Sequence, residues 1–433
     1  MIIVDTALAE RLAKGNPVRV AMAGAGYMAR GIALQILTAM PGLRLVAISN
    51  RTVAQAERAY REAGVTEFSR VQSQAQLEQA ISAGRYAVTD DATQLCRAGQ
   101  IEAVIETTGD VEFGTQVALE AIRNGKHVIL MNAEVDASVG PMLKVYADRA
   151  GVVYTYTDGD EPGVAMNLFR FVDSMGYKPV LMGQIKGFLN RYRNPETQQV
   201  FAEKHQQKAA MVASFADGSK LALESAIIGN ATGFVPGKRG MHGYECAHVK
   251  DLLTKFRVED FAGGGLVDFV LGAEPHTGAF VMGYNDHPIK KKYMSYFKFG
   301  EGPLYMFYTP YHLPHMQLPH SVARAVLFKD PTLTPRGAPV CDTVSMAKRD
   351  LKAGERLDGM GGFTCYGLID SYENCQREDA LPMALSLDCL LKRDIAKDQP
   401  ISNRDVELPK GRLCDKLRAE QAEHFRRAVR AVA

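Results

Sequence analysis

VRVAMAGAGYMARGIALQIL, residues 18–37, is the stretch whose reading decides the fold. A short apolar run passes through two glycines into a segment with apolar residues at helical spacing, which reads as strand, tight turn and helix. The spacing Gly24-x-Gly26-x-x-Ala29 has a physical purpose. Gly24 permits the turn, Gly26 lets the backbone approach a pyrophosphate, and the small Ala29 lets helix pack close on strand. Tyr27 and Met28 then lie at a helix N-terminus, whose free N–H groups attract anions. Glycines punctuate many turns, so the context carries the reading: the motif follows a strand, opens a helix and sits in a βαβ unit whose next strand ends at residue 50. The stretch is a dinucleotide cradle.

Working outward, LRLVAISN (43–50) is the second strand, and its end selects the cofactor. An NAD site places an acid there for the ribose hydroxyls, whereas NADP needs that acid absent and an arginine near. Here the chain reads Ser49-Asn50-Arg51-Thr52. Asn50, Arg51 and Thr52 are therefore assigned to the cofactor, and NADPH is expected; a solvated loop arginine is the alternative. IEAVIETTG (101–109) is a further strand, with Thr107, Thr108 and Gly109 either bordering the nicotinamide or capping the next helix. KHVILMN (126–132) ends at Asn132 on the same cofactor side, and VVYTYTD (152–158) follows. Apolar strands alternating with helices imply an α/β Rossmann domain with a doubly wound parallel sheet.

After residue 158 the texture changes. LVDFVLG, AFVMGYN, YMSYFKFG and PLYMFYTP read as longer aromatic strands, so a second, α+β catalytic domain with a mostly antiparallel sheet is expected. HSVARAVLFKDP (320–331) reads as a helix returning to the first domain. The tail holds an internal echo, AKRDLKAGERLDG (347–359) and LKRDIAKDQPISNRDVELP (391–409), which suggests a small pseudo-symmetric β domain. The expected division is 1–158, with 318–335 packing back on it, then 159–317, then 336–433.

Composition narrows the class. Of 433 residues 46% are hydrophobic and 23% charged, and the formal net charge of +2 gives no reason to expect nucleic acid or an anionic membrane as partner. The seven cysteines form no CxxC pair, as suits reduced thiols. The start, MIIVDTALAERLAKGNP, lacks the long apolar run of a signal peptide, so a cytoplasmic protein is expected.

Chemistry beyond the cofactor gathers in three places. VVYTYTDGDEPG brings Asp158, Asp160 and Glu161 together at the carboxyl end of a strand. Crowded carboxylates need a cation, a shared proton or water; oxygen ligands suit Mg or Mn as the divalent metal. The alternative is a turn with solvated acids. IKGFLNRYRNPE (185–196) offers Lys186, Asn190, Arg191 and Arg193 to a substrate phosphate or carboxylate, or else a solvated face. MHGYECAHVKDLL supplies Glu245, His248 and Lys250; on a helix, Glu245 and His248 would be neighbours able to exchange protons. His312 and His315 of PYHLPHMQLPH suggest a metal pair, but Pro310, Pro314 and Pro319 should break any helix aligning them.

The Rossmann half, the KGFLNR segment and PYHL…SVARAVL resemble the homoserine-dehydrogenase-like oxidoreductases. The tail, with KRDLKAGE and KRDIAKDQPI, resembles a SAF domain. That three-part arrangement is similar to the 1-deoxy-D-xylulose 5-phosphate reductoisomerase-like enzymes known from Brucella. The resemblance implies NADPH-dependent conversion of 1-deoxy-D-xylulose 5-phosphate to 2-C-methyl-D-erythritol 4-phosphate, a divalent metal and a homodimer. It carries the metal to Asp158, Asp160 or Glu161, with Glu245 as a later partner, and the substrate phosphate to Lys186, Arg191 and Lys250. A dehydrogenase acting on homoserine or another small alcohol is the alternative, as is a nucleotide-sensing regulator. Against homoserine, bulky Arg191 and Arg193 stand where that family favours small residues.

Overall fold

The computed structural model describes residues 4–432. The chain divides into two compact units, one comprising residues up to Gly159, Leu313–Thr334 and the segment from Arg412 onward, the other Asp160–His312 and Pro335–Gly411. The expected three-part division places the tail differently: residues 335–411 join the second unit, while a long helix, Leu413–Val432, joins the first. Among the described residues no helix is long and apolar enough to cross a membrane.

The first unit is built on seven strands, β1 (Val18–Ala23), β2 (Leu43–Ser49), β3 (Phe68–Arg70), β4 (Tyr86–Thr89), β5 (Ala103–Glu106), β6 (His127–Leu130) and β7 (Tyr154–Tyr156). They form one sheet in the order β3-β4-β2-β1-β5-β6-β7, with every pairing parallel. From β1 the chain order runs one way to β2 and the other way to β5, so the switch point lies at the carboxyl ends of β1 and β5. The helix Tyr27–Ala39 buries Ala29, Ile32, Ala33 and Ile36, one helical stripe, on this sheet. Its partner is the helix Pro314–Ala323, which supplies Leu318 and Val322 to the same core. The prolines of this segment do not break it, contrary to what the sequence suggests. Pro314 instead stands at the helix start, where its missing N–H costs nothing, and Pro319 is accommodated inside.

The second unit carries β8 (Lys178–Lys186), β9 (Val235–Pro236), β10 (Tyr244–Glu245), β11 (Leu266–Leu271), β12 (Ala279–Tyr284) and β13 (Leu304–Thr309). The order β10-β11-β8-β12-β13 is mixed rather than mostly antiparallel, since β8, β9 and β10 join β11 in parallel and β12 alone runs against its neighbours, β8 and β13. YMSYFKFG is another departure: the helix Pro288–Tyr296 forms there, started by Pro288 and capped by His287, whose Nδ1 accepts from the Ile289 N–H. Nor is MHGYECAHVKDLL one helix. Left-handed backbone at Gly240, Met241 and Gly243 interrupts it, and a 3-10 turn, Val249–Thr254, begins afresh at a His248–Asp251 capping box. The helix Ser219–Thr232 is buried at every position. In the tail, β14 (Cys341–Ala347) pairs with β15 (Cys365–Ser371) and β16 (Leu390–Leu391) with β17 (Val406–Glu407), both antiparallel, over a core that includes Leu351, Leu357, Ile395 and Ile401.

One buried acid makes the first unit pH-sensitive. Asp136 accepts a 2.6 Å hydrogen bond from the Tyr154 hydroxyl, and burial pushes its carboxyl up to about 7. The folded state then holds a proton that the unfolded chain releases near its ordinary 3.8. That contribution is complete below pH 4 and is lost as pH rises through 7, at about 1.4 kcal/mol per pKa unit. Asp136→Asn is therefore expected to melt near the parent temperature at pH 4 and increasingly above it towards pH 8. A difference independent of pH would contradict this.

Candidate functional site

In the first unit the switch point is shaped by two glycines. Gly24 has φ +108°, and a Cβ there would stand 2.7 Å from Thr107 Oγ1 and 3.0 Å from the Thr107 carbonyl. Strand β1 and the turn after β5 thus meet with no room for a side chain. Gly26 caps the helix Tyr27–Ala39 without a side-chain acceptor, and nothing lies within 4 Å of its Cβ direction. The first N–H groups of that helix, from Tyr27 and Met28 onward, have no intrahelical acceptor, an anion-attracting geometry.

The neighbouring turns are built by their own polar groups. The Asn50 N–H donates to the Thr89 carbonyl and its amide to the Thr52 carbonyl, which leaves Arg51 exposed at the turn. Glu106 is fully buried at the end of β5 and accepts from the Thr108 N–H and hydroxyl. Burial pushes its carboxyl up to about 7 against those bonds. Gly109 follows with φ +67°. Asn132 is buried and acts as an N-cap, accepting from the Val135 N–H while its amide donates to the Asp110 carbonyl.

The second unit holds the charged centre. Asp160 caps the helix Glu161–Ser174, so the chain's change from turn to helix fixes Asp160 and Glu161 side by side. Lys186 ends β8 and donates to Glu161 Oε1 at 2.6 Å, with Glu224 Oε2 at 3.8 Å. Glu224 comes from the all-buried helix Ser219–Thr232. Among the described residues, Asp160, Glu161 and Glu224 form a group whose ligand atoms lie within 4.8 Å of one another, all buried. His312 Nε2 approaches Glu161 Oε2 at 3.6 Å, and its Nδ1 is 2.9 Å from the Thr277 hydroxyl.

Electrostatics divide the labour among these groups. Burial opposes ionisation of Glu161, but the Lys186 charge and His312 outweigh it and hold the carboxyl at about 2. Burial likewise opposes the Lys186 charge, and Glu161 and Glu224 overcome it, raising the ammonium's affinity for its proton. Glu224 goes the other way: burial first, then repulsion from Glu161, push it well above the carboxylate range, with Lys186 only partly opposing. Its Oε2 is buried and has no hydrogen-bond partner. Lys186 and Glu161 thus form an ion pair, while burial beside them disfavours ionisation of Glu224, because further buried anions against one ammonium are costly.

The remaining sequence candidates lie elsewhere in their units. Asp158 is not among the three carboxylates. It belongs to the first unit, where its N–H donates to Ser321 Oγ and its Oδ1 accepts from the Gly159 N–H. Strand β7 ends at Tyr156, so the shared strand face expected for Asp158 and Asp160 does not form. Asn190 is a turn-former, its Oδ1 accepting from the Tyr192 N–H. Arg191 is exposed, with its guanidinium 5.8 Å from the Tyr366 ring centre, and Arg193 lies over Phe188.

Glu245 is exposed and not on a helix with His248. Its place is nevertheless informative, because Glu245, Leu271 and Lys186 are in register across β10, β11 and β8, at one level of the carboxyl ends. His248 accepts the Lys250 N–H and packs edge-on against Tyr308, whose ring also lies 5.9 Å from Lys250 Nζ. Sequence reasoning missed Glu224 altogether. Its signal was a lone acid in the otherwise apolar run KLALESAIIGNA, where a fully buried helix has no ordinary use for a carboxylate.

Residues 159–318 match the model for the catalytic domain of oxidoreductase DRL, and residues 18–130 match that for the NAD-binding Rossmann fold of an oxidoreductase family. No curated protein matches the chain. Among solved structures, an NAD-binding oxidoreductase from Klebsiella pneumoniae is 20% identical over 41% of this chain and 45% of its own, with a TM-score of 0.28; the chain thus spans less than half of that relative. The scyllo-inositol dehydrogenase from Lactobacillus casei is 16% identical over 62% and 74%, at 0.38. The myo-inositol 2-dehydrogenase from Lactobacillus plantarum is 14% identical over 63% and 75%, at 0.35. Two segments of the chain thus match oxidoreductase families, residues 18–130 an NAD-binding Rossmann fold and residues 159–318 a DRL catalytic domain.

Proposed function

We propose that this oxidoreductase uses NADPH and a divalent metal to convert 1-deoxy-D-xylulose 5-phosphate to 2-C-methyl-D-erythritol 4-phosphate. The observation that carries the reading is the buried group Asp160, Glu161 and Glu224. Hydride transfer to a simple carbonyl needs one positioned proton donor and has no use for three buried carboxylates. Rearrangement of a hydroxyketone develops charge on two oxygens, and an all-oxygen donor set suited to Mg or Mn answers that need. Glu224 Oε2, which no hydrogen bond satisfies and which the Lys186 ammonium approaches only to 3.8 Å, fits the same group, since a cation would supply the missing contact. Held by these three residues, the metal's chemistry is polarisation of the substrate's ketone and hydroxyl oxygens.

The chain's own groups account for the rest. Lys186 keeps an ammonium beside the carboxylates and offers a proton to a developing alkoxide. His312, oriented through Thr277, relays protons at Nε2. Arg191, Arg193 and Lys250 offer cations to the substrate phosphate. The skeleton change is an isomerisation, and the resulting aldehyde takes a hydride from the nicotinamide and one proton to become the alcohol. The 2′-phosphate of NADPH is assigned to Arg51, exposed on a turn without an acid.

Purified protein with Mn²⁺ is expected to oxidise NADPH when given 1-deoxy-D-xylulose 5-phosphate and to stop when chelator is added. Turnover of homoserine or a plain aldehyde in chelator, with none of the phosphorylated ketose, would replace this reading with a simple dehydrogenase. Arg51→Ala should weaken NADPH binding by roughly 10- to 100-fold, as expected for a charged hydrogen-bonded pair, and leave NADH binding nearly unchanged. Equal losses for both cofactors would remove Arg51 from the phosphate. Glu224→Gln imitates the protonated acid, so its melting temperature should match the parent's. Its Mn²⁺ affinity by calorimetry should fall at least about tenfold; an unaltered affinity would exclude Glu224 as a ligand.

A further inference from the structure

The tail between Pro335 and Gly411 is two copies of one unit, and their hydrogen bonds exchange in pairs. Leu351 and Ile395 donate to each other's carbonyls at 2.8 and 3.0 Å. Gly354 N–H reaches the Leu391 carbonyl as Asp398 N–H reaches the Ala347 carbonyl, both at 2.8 Å. Leu357 to Cys389 and Ile401 to Ser345 make another such pair at 2.9 Å. With Lys348-Arg349-Asp350-Leu351 set against Lys392-Arg393-Asp394-Ile395, Gly354 and Asp398 occupy the same position.

At that position the copies part. Both residues have left-handed backbone, φ +85° at Gly354 and +62° at Asp398. Glycine takes this conformation freely, and an aspartate takes it only against steric resistance. What Asp398 gains is visible in its carboxylate: Oδ2 accepts from the Tyr192 hydroxyl at 2.8 Å and Oδ1 from the Tyr366 hydroxyl at 3.0 Å. Lys397 adds its ammonium 3.8 Å from the Tyr192 ring centre. The Tyr366 ring in turn lies beneath the Arg191 guanidinium.

The lysines part in the same way. Lys392 donates to the Arg404 carbonyl inside its own copy. Lys348 is buried and spends all three donors, on the Arg193 carbonyl at 2.8 Å, Asp217 Oδ2 at 2.9 Å and the Gly362 carbonyl at 2.7 Å. Each copy thus keeps the common frame and puts one residue to a use that its counterpart does not share. Both of those residues grip the same three-residue stretch, Arg191-Tyr192-Arg193.

We propose that the tail module is a positioning device for this loop: Lys348 from one copy and Asp398 from the other fix Tyr192 and the Arg193 backbone, so that Arg191 is held ready for an anionic group of the substrate. The proposal rests on the assignment of this loop to a substrate phosphate. Without the two grips, an exposed arginine on a turn would lose rotamer and backbone freedom on binding each time, and the affinity for the anion would fall.

Asp398→Gly tests this without threatening the fold, because it installs what the other copy already has. Hydrogen exchange at 188–193 should quicken by about tenfold, and the Kd for inorganic phosphate, measured calorimetrically on the full chain, should rise by about tenfold. Melting temperature and NADPH binding should stay at parental values. Asp398→Asn, which keeps an acceptor and tolerates the backbone, should recover most of the loss. Parental exchange at 188–193 would overturn the proposal, as would faster exchange with unchanged phosphate affinity, the module then being structural only. Neither readout uses turnover, so absence of ketose reductoisomerase activity would sink the functional reading alone.

Discussion

The ammonium of Lys186 lies beside buried carboxylates, and the second unit is arranged to make that tolerable. Glu161 gives it a direct hydrogen bond, and Glu224 stands slightly farther off. In the low-dielectric interior one ion pair is sustainable and further anions are costly, so ionisation of Glu224 is disfavoured. The supporting elements follow from this demand. Lys186 must end a strand to reach the helix start that bears Asp160 and Glu161, and Glu224 must come from a helix sealed on all sides. A divalent cation, as proposed, would match the charge of such a set of groups. Natural proteins retain such a mismatch where a ligand resolves it.

The Rossmann half was legible because its signals are local. Apolar strand, glycine turn and amphipathic helix are each written within a few residues, and Gly24 confirms the reading through the space that Thr107 denies it. The second unit was harder. Aromatic residues in YMSYFKFG serve an exposed helix as readily as a strand, and Pro288 with its His287 cap settled the choice. Parallel or antiparallel pairing of β11 is likewise a matter of which distant strand arrives beside it, which no local pattern encodes.

The site shows the same division. Asp160, Glu161 and Lys186 were visible as crowded or cationic short stretches, and Asp158 was grouped with them only because of its nearness in sequence. A turn at Gly159, φ +81°, separates what the sequence places together. Glu224 and His312 arrive from remote segments, one inside a buried helix and one in a proline-rich connector. Their proximity to Glu161 is a property of the fold. The internal echo in the tail was legible as repetition. Its use lies in the two positions where the contacts of the copies differ.

The account stands or falls on whether the three carboxylates take a divalent cation. Crystals grown with Mn²⁺ and measured at the manganese absorption edge answer this directly, through anomalous difference density. The account predicts one strong peak in coordination contact with Asp160, Glu161 and Glu224, with the Lys186 ammonium displaced from Glu161. An anomalous map with no peak there at saturating Mn²⁺, and Lys186 still bonded to Glu161, would contradict it.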